Sequence, residues 1–329
     1  MATMEPPVGV RDELLDRRAK LERAIPTVAD PEPLQRLLGE VDETLERIAD
    51  GSFGLCSVCH DPIEADRLAA DPLLRNCIDH LTAAEQRALE HDLDLSGRLQ
   101  TALLPARQLQ HGEWEIAHHY QPLGAVSGDY CDVVVSPQGV MDVLVGDVAG
   151  KGLAASLLMT YLHATFRSLG SINLDLADMV GRANHLLCES TGGHSGYATL
   201  VCARAHPGGA VEVLNAGHCP PLHVGSGKTT TIPAGGLPLG LFCTCPYTTT
   251  RIDLAPGDTL VIYTDGVSEA ANPQGEEYGE TRLVRAMEQR RTASPIELIQ
   301  GSLDDLTTFR NGSARADDVT LLALRRSRP

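Results

Sequence analysis

Aromatic residues are scarce in this 329-residue chain, at 4% of the sequence with a single Trp. A core short of large rings has to be filled by aliphatic side chains, and 43% apolar residues is enough for an ordinary globular protein. Long hydrophobic runs are missing too: no stretch reaches the roughly 18 apolar residues of a membrane-spanning helix, so no membrane partner is expected. Residues Met1 to Val10 are proline-rich rather than basic then apolar, which reads against a secretory signal and for a cytoplasmic location. Positive charge is also in short supply, with 27 Lys and Arg against 44 Asp and Glu and a net charge of −17. Phosphate backbones are held by basic surface, so no direct nucleic-acid partner is expected, whereas divalent cations suit the balance. The 9 cysteines, an odd number, are expected to be reduced thiols, with a metal site wherever they cluster at ligand spacing.

Several catalytic signatures are absent. There is no Gly-x-Ser-x-Gly elbow and no cysteine in a phosphate-loop pattern. The glycine-rich stretch Gly146-Asp147-Val148-Ala149-Gly150-Lys151-Gly152 fits neither the dinucleotide fingerprint nor the P-loop. It follows an apolar run, Val140 to Val145, that reads as a strand, and it leads into an apolar helix from Leu153 to Leu169. A carboxylate therefore stands at a strand end.

The length allows about two domains. Residues 11–24 and 32–49 read as helices, with Leu14, Leu15, Leu21 and then Leu34, Leu37, Leu38, Val41, Leu45 and Ile48 at helical spacing. Pro26, Pro31 and Pro33 separate them into a hairpin that packs or dimerises. Next, Cys56 and Cys59 are followed after a loop by Cys77 and His80, the spacing of a closed tetrahedral site for one structural Zn²⁺ with no open coordination position. Thr82 and Glu85 form a capping box for a linker helix that Pro105 ends. The expected divisions are a hairpin at 1–50, a finger at 51–81, a linker at 82–111 and a second domain at 112–329.

Leu45-Glu46-Arg47-Ile48, Gly51-Ser52-Phe53-Gly54-Leu55-Cys56, Pro62-Ile63, Arg67-Leu68 and Cys77 resemble the zinc finger of the DksA/TraR family. His80 replaces that family's usual fourth cysteine, and His60 stands where glycine commonly follows the second. The hairpin tip, Thr27 to Glu32, lacks the acidic motif used in that family to enter an RNA polymerase channel, so the resemblance implies the zinc fold and not the polymerase activity.

From about residue 112 the pattern turns to short β-rich runs at 114–120, 130–135, 140–145, 197–205, 210–215, 259–263 and 319–324. Helical segments at 153–169, 174–189, 280–291 and 295–309 are interspersed. Strands arrive in consecutive groups, which predicts antiparallel sheets covered by helices, an α+β fold. Four acidic positions share a strand-terminal context: Asp129, Asp147, Asp265 and the pair Asp317-Asp318. If those ends converge, the like charges need cations, and oxygen donors suit Mg²⁺ or Mn²⁺. Two such ions lower the pKa of a bridging water and stabilise in-line displacement at phosphorus.

Ser127-Gly128-Asp129-Tyr130-Cys131-Asp132, Gly146 to Gly152, Asn215-Ala216-Gly217-His218-Cys219-Pro220-Pro221, Leu237-Pro238-Leu239-Gly240, Tyr263-Thr264-Asp265-Gly266-Val267 and Asp317-Asp318-Val319-Thr320 resemble the ordered motifs of the SpoIIE/RsbU branch of metal-dependent (PPM) protein serine/threonine phosphatases. Leu99 to Pro105 is similar to the linker that precedes this domain. The resemblance implies an α-β-β-α sandwich of two antiparallel sheets, two catalytic Mn²⁺ or Mg²⁺ ions, and hydrolysis of phosphoserine or phosphothreonine without a phosphoenzyme. Asp129 and Asp147 would be central ligands, with the Val148 carbonyl, Asp265 and Asp317; Asp318 is the weaker ligand of its pair and Asp132 would lie behind the ligands. Ser127 replaces a frequent glycine. Lys151 attracts phosphate or is simply solvated, and His218 is structural or catalytic. In this branch the protein substrates are phosphorylated anti-sigma-factor antagonists of partner-switching circuits, with the hairpin and linker as a regulatory or dimerising module. The competing hypothesis is a transcription-interaction protein acting through its zinc hairpin, with a non-catalytic phosphatase-like domain; the intact carboxylates weigh against it.

Overall fold

Alternating side chains along the strands sort the apolar residues into separate layers. Along β4 (Met141–Val148), Met141, Val143 and Val145 enter one core while Leu144 enters another. Along β10 (Thr259–Tyr263), Leu260 and Ile262 share the first of these cores, and Val261 and Tyr263 enter a third. Strands apolar on both faces have to be covered on both. The computed structural model, which describes residues 9–28, 30–136, 139–172, 174–191 and 196–327 with the Asp66 side chain left aside, shows how. Most of the proline-rich N-terminus, residues 1–8, lies outside this range.

One sheet runs β1 (Gln108–His111), β2 (Trp114–Gln121), β11 (Val319–Arg326), β10, β7 (Leu222–Val224), β8 (Thr229–Thr231) in spatial order; the other runs β3 (Asp129–Val135), β4, β5 (Ala198–Ala205), β6 (Ala210–Ala216), β9 (Thr250–Asp253). Every pairing between these strands is antiparallel. Between the sheets lies the aliphatic core that the scarcity of aromatics requires, with Val143, Val145, Val201, Ile262 and Leu322 fully buried. Outside the five-stranded sheet, α5 (Leu153–Leu169) and α6 (Leu176–Thr191) bury Met159, Leu162, Phe166 and Leu187. Outside the six-stranded sheet, α8 (Gly279–Gln289) and α9 (Pro295–Arg310) bury Leu283, Met287, Leu298 and Ile299. The predicted α-β-β-α sandwich is the observed one.

The chain divides into two units, residues 1–91 and 92–329. In the first, α1 (Val10–Ala24) and α2 (Glu32–Asp50) pair through Leu14, Leu21 and Val41, and Arg18 reaches Asp42 at 2.7 Å. α4 (Ala83–Leu103) opens on the predicted capping box: Glu85 Oε2 accepts from Thr82 N at 2.7 Å, and Thr82 Oγ1 accepts from Glu85 N at 3.2 Å. The division between units therefore falls within the helix expected to be the linker.

Strand and helix limits agree with the sequence patterns within a few residues. The elements that escaped are short: β1, β7, β8, β9, α3 (Ala65–Ala70) and α7 (Asp265–Ser268). β1, β8 and β9 are sheet edges of three or four residues, too short to show a period.

One charged contact ties α5 to its sheet. Asp132 is fully buried, and its carboxylate accepts from Arg167 Nε at 2.8 Å and Nη2 at 2.6 Å, with His163 Nδ1 at 3.3 Å. Arg167→Ala would leave this carboxylate without its two-pronged partner. We expect a stability loss of about 2–3 kcal/mol, at the low end for an orphaned buried charge because His163 remains close, read from denaturant unfolding.

Candidate metal centres

Antiparallel pairing brings the first two carboxylates together. Asp129, the first residue of β3, lies directly opposite Asp147 near the end of β4, and opposed residues project to the same face. β10 and β11 pair as far as Tyr263 and Leu321, so Asp265 and Asp317-Asp318 leave the second sheet just beyond. The two sheets meet here through Asp129, which is 2% exposed: its Oδ2 accepts from Thr264 Oγ1 at 3.0 Å and from Thr320 Oγ1. Both threonines lie next to the acidic motif residues in sequence, but nothing in their spacing assigns their hydroxyls to the site; the contact across the sheets does.

Burial pushes the Asp129 carboxyl well above the usual range, against the pull of the Thr320 hydrogen bond, and the charges of Asp147 and Asp318 push it further. Asp147 is pushed up to about 7 by burial and by Asp265, Asp317 and Asp318, with Lys151 opposing. Asp265 is raised by burial and then by Asp317. Lys151 is bound to this cluster: Nζ donates to Asp317 Oδ2 and to the Ala316 carbonyl, each at 3.0 Å, and the hydrogen bond to Asp317 raises the ammonium. Exposed as it is, it offsets little of the clustered negative charge.

The backbone brings a further oxygen to this end. Gly150 and Gly152 adopt φ of +106° and +74°, which turns the chain sharply after Val148. A Cβ at Gly128 would lie 3.0 Å from the Val148 carbonyl oxygen and 3.2 Å from Asp147 Oδ1. That carbonyl and that carboxylate therefore crowd the same cradle, which only glycine leaves open. Hard oxygens that repel one another in this way fit Mg²⁺ or Mn²⁺.

Asp318 is engaged differently. Its Oδ1 accepts from Leu123 N at 2.6 Å, and its Oδ2 accepts from Ser127 Oγ at 2.6 Å and Gly128 N at 3.1 Å. Ser127 Oγ in turn accepts from Asp129 N at 3.0 Å, so the serine at this frequent glycine position links Asp318 to Asp129. Asp132, expected behind the ligands, lies instead on the helix side of β3 under α5, because successive strand residues face opposite ways and Asp129 faces the other sheet. His218 is buried, and burial lowers it to about 4, so the imidazole is neutral. Its Nδ1 lies 2.7 Å from Thr199 Oγ1, which donates to the Asp147 carbonyl at 3.4 Å. His218 is thus a strut behind Asp147.

The second centre lies in the other unit. Cys56, Cys59, Cys77 and His80 place their ligand atoms within 4.8 Å of one another, the one such group among the described residues; the carboxylates of the other unit form no group as tight as this. Cys59 Sγ lies 3.8 Å from Cys77 Sγ, and Cys77 Sγ lies 3.2 Å from His80 Nδ1. Against the upward push of burial, backbone N–H groups of Cys59, Cys77 and Val58 draw the Cys56 thiol down to about 6, while Cys59, despite a hydrogen bond from the Asp61 backbone, is pushed up to about 11 by burial and by Cys56 and Cys77, so these sulfurs do not all ionise together without a cation among them. The knuckle closes with Cys56 N donating to Asp61 O at 2.8 Å and His60 N donating to Cys56 O at 3.0 Å. His60 has φ of +59°, the left-handed conformation that glycine adopts most easily.

Two antiparallel sheets between helix layers, with acidic residues gathered at one end, define a PP2C-type sandwich. The solved SiaA-PP2C domain of Pseudomonas aeruginosa matches with a TM-score of 0.64 at 21% identity, over 74% of this chain and 99% of that one. The profile of the stage II sporulation protein E (SpoIIE) family matches residues 137–327, and the chain belongs to that family. Protein IcfG of Synechocystis is 24% identical over 77% of this chain, which spans 45% of the length of IcfG. Phosphoserine phosphatase RsbU of Bacillus subtilis is 25% identical over 73% of this chain and 72% of its own. A stretch of 73 residues is 36% identical to the RNA polymerase-binding transcription factor DksA of Buchnera aphidicola, covering 22% of this chain and 48% of DksA. Among the described residues no helix is long and apolar enough to cross a membrane.

Two outcomes are expected. In unfolded chain Asp147 ionises near 3.8 and in the fold near about 7, so the folded state binds protons more tightly between those values. Stability of protein dialysed free of Mg²⁺ and Mn²⁺ should then fall as pH rises from about 4 to 7. Thermal melts should show Mn²⁺ restoring stability far more at pH 8 than at pH 5, and Asp147→Asn should flatten the dependence. In the finger, Cys59→Ser should abolish stoichiometric zinc in elemental analysis and lower the melting of the N-terminal unit.

Proposed function

We propose that this protein is a metal-dependent phosphatase that removes phosphate from phosphoserine or phosphothreonine of a protein substrate. The observation that carries the reading is the Asp129–Asp147 register pair, with the Val148 carbonyl beside it and Asp265 and Asp317 arriving from the other sheet. Asp129, Asp147, the Val148 carbonyl, Asp265 and Asp317 would hold two Mn²⁺ or Mg²⁺ ions. Asp318, whose carboxylate already accepts three hydrogen bonds, would serve mainly to hold the loop before Asp129. When bound, such ions lower the pKa of water and neutralise phosphoryl oxygens. The chain's own part is to fix the oxygens: Thr264 and Thr320 orient Asp129, and the strut through Thr199 and His218 backs Asp147. Lys151, held at Asp317, adds positive charge at the rim where a phosphate dianion would arrive. Water supplies the oxygen of the new P–O bond and the seryl or threonyl oxygen leaves, with no enzyme nucleophile.

RsbU, similar over most of its length, is named a phosphoserine phosphatase. That similarity supports a phosphoserine substrate, and the resemblance of the ordered motifs to the SpoIIE/RsbU branch makes a phosphorylated anti-sigma-factor antagonist the substrate we propose. The N-terminal Cys₃His group would hold one structural Zn²⁺, with hairpin and linker as a regulatory or dimerising module.

Asp147→Asn should reduce Mn²⁺-dependent hydrolysis of p-nitrophenyl phosphate by more than about 100-fold, beyond what loss of an outer partner causes. A metal titration of activity against candidate phosphorylated antagonists tests the substrate; full activity of Asp147→Asn would overturn the assignment.

A further inference from the structure

Gln100 lies on α4, within the C-terminal unit, and is 5% exposed. A buried amide has to find partners, and one backbone residue satisfies both of its ends. Nε2 donates to the Ser127 carbonyl at 2.7 Å, and Oε1 accepts from Ser127 N at 3.0 Å. This two-point contact imitates a rung of a β-ladder, made by a side chain. One turn earlier on the same helix face, Gly97 touches the same loop so closely that a Cβ would lie 2.3 Å from the Ala125 carbonyl oxygen. From the other side Asp318 takes Leu123 N, Gly128 N and the Ser127 hydroxyl. The loop 123–128 is held between helix and carboxylate, and it delivers Gly128, the open cradle, and Asp129, the buried ligand.

We propose that Gln100 is a positioning residue of the carboxylate centre: with Gly97 it seats the end of α4 on the loop, and so sets how well Asp129 and the cradle at Gly128 receive divalent cations. The helix thereby governs metal affinity without supplying a ligand. This rests on the reading of that centre as a Mn²⁺ or Mg²⁺ site.

The test uses the full chain with zinc retained, Mn²⁺ alone in titration calorimetry, and p-nitrophenyl phosphate for kinetics. Gln100→Leu keeps the bulk and loses both hydrogen bonds; Gln100→Glu keeps the shape and places an acceptor against the Ser127 carbonyl. Both should weaken Mn²⁺ binding about tenfold or more, the scale of losing an outer partner, and raise the Mn²⁺ needed for half-maximal rate, with KM for the aryl phosphate at saturating Mn²⁺ within about twofold of wild type. Gly97→Ala, although alanine is the better helix former, should weaken Mn²⁺ binding in the same way. Wild-type Mn²⁺ affinity in a folded Gln100 variant overturns the proposal, as does a lowered melting temperature with that affinity unchanged. If one variant does not fold, the other two decide by the same criterion. Wild-type protein that binds no Mn²⁺ overturns the metal reading together with the proposal, and is distinguished from failure of the proposal alone.

Discussion

A carboxylate taken out of water is costly unless hydrogen bonds or a cation compensate it, and Asp129 is placed where that cost must be met by both sheets at once. Its hydrogen bonds come from Thr264 and Thr320 of one sheet, and its opposite number across the strand pair is Asp147 of the other. The sandwich therefore closes at this end around negative charge rather than around apolar side chains. Divalent cations are the natural complement, and without them burial and mutual repulsion hold the carboxyls of Asp129, Asp147 and Asp265 above their ordinary range.

Around these acids, some oxygens are free to meet a cation and others are already engaged within the fold; on the reading proposed above, the first would be ligands and the second their supports. Asp318 and Ser127 belong to the second kind, since their oxygens are spent on the loop before Asp129. The same holds for His218, which reaches Asp147 only through Thr199. On the helix-covered face of the five-stranded sheet, Asp132 with Arg167 and Asp142 with Arg204 make two-pronged contacts that answer their charge with a guanidinium. Their charge is answered within the fold, whereas burial holds the carboxyls of Asp129, Asp147 and Asp265 above the ordinary range.

The N-terminal centre follows a different logic. Three cysteine sulfurs and an imidazole close on one point, and Phe53, Ile63 and Leu68 pack around the cysteines. Arg47 from α2 donates to the carbonyls of Leu55 at 2.5 Å and Leu74 at 3.2 Å, fastening the two halves of the finger to the hairpin. With so small a core, such a unit would gain much of its stability from a metal bound at this point.

Much was legible in the sequence. Periodicity is a local property, so the limits of α5, β10 and α9 could be read directly, as could the ligand spacing of the finger and the acidic residues at strand ends. Edge strands such as β8 left no periodic trace. Pairing and facing were not legible, because they depend on residues far apart in the chain. Register decided that Asp129 opposes Asp147, while the alternation of the strand turned Asp132 away to α5. Tertiary packing decided that the hydroxyls of Thr264 and Thr320, motif members to which the sequence assigns no role, would bind Asp129, and that Gln100 would reach Ser127 across 27 residues. The sequence by itself determined which chemical groups are present and which elements carry them. Tertiary structure alone decided which acids are left in search of a cation, because the energy of a charge depends on burial and on neighbours that only the fold assembles.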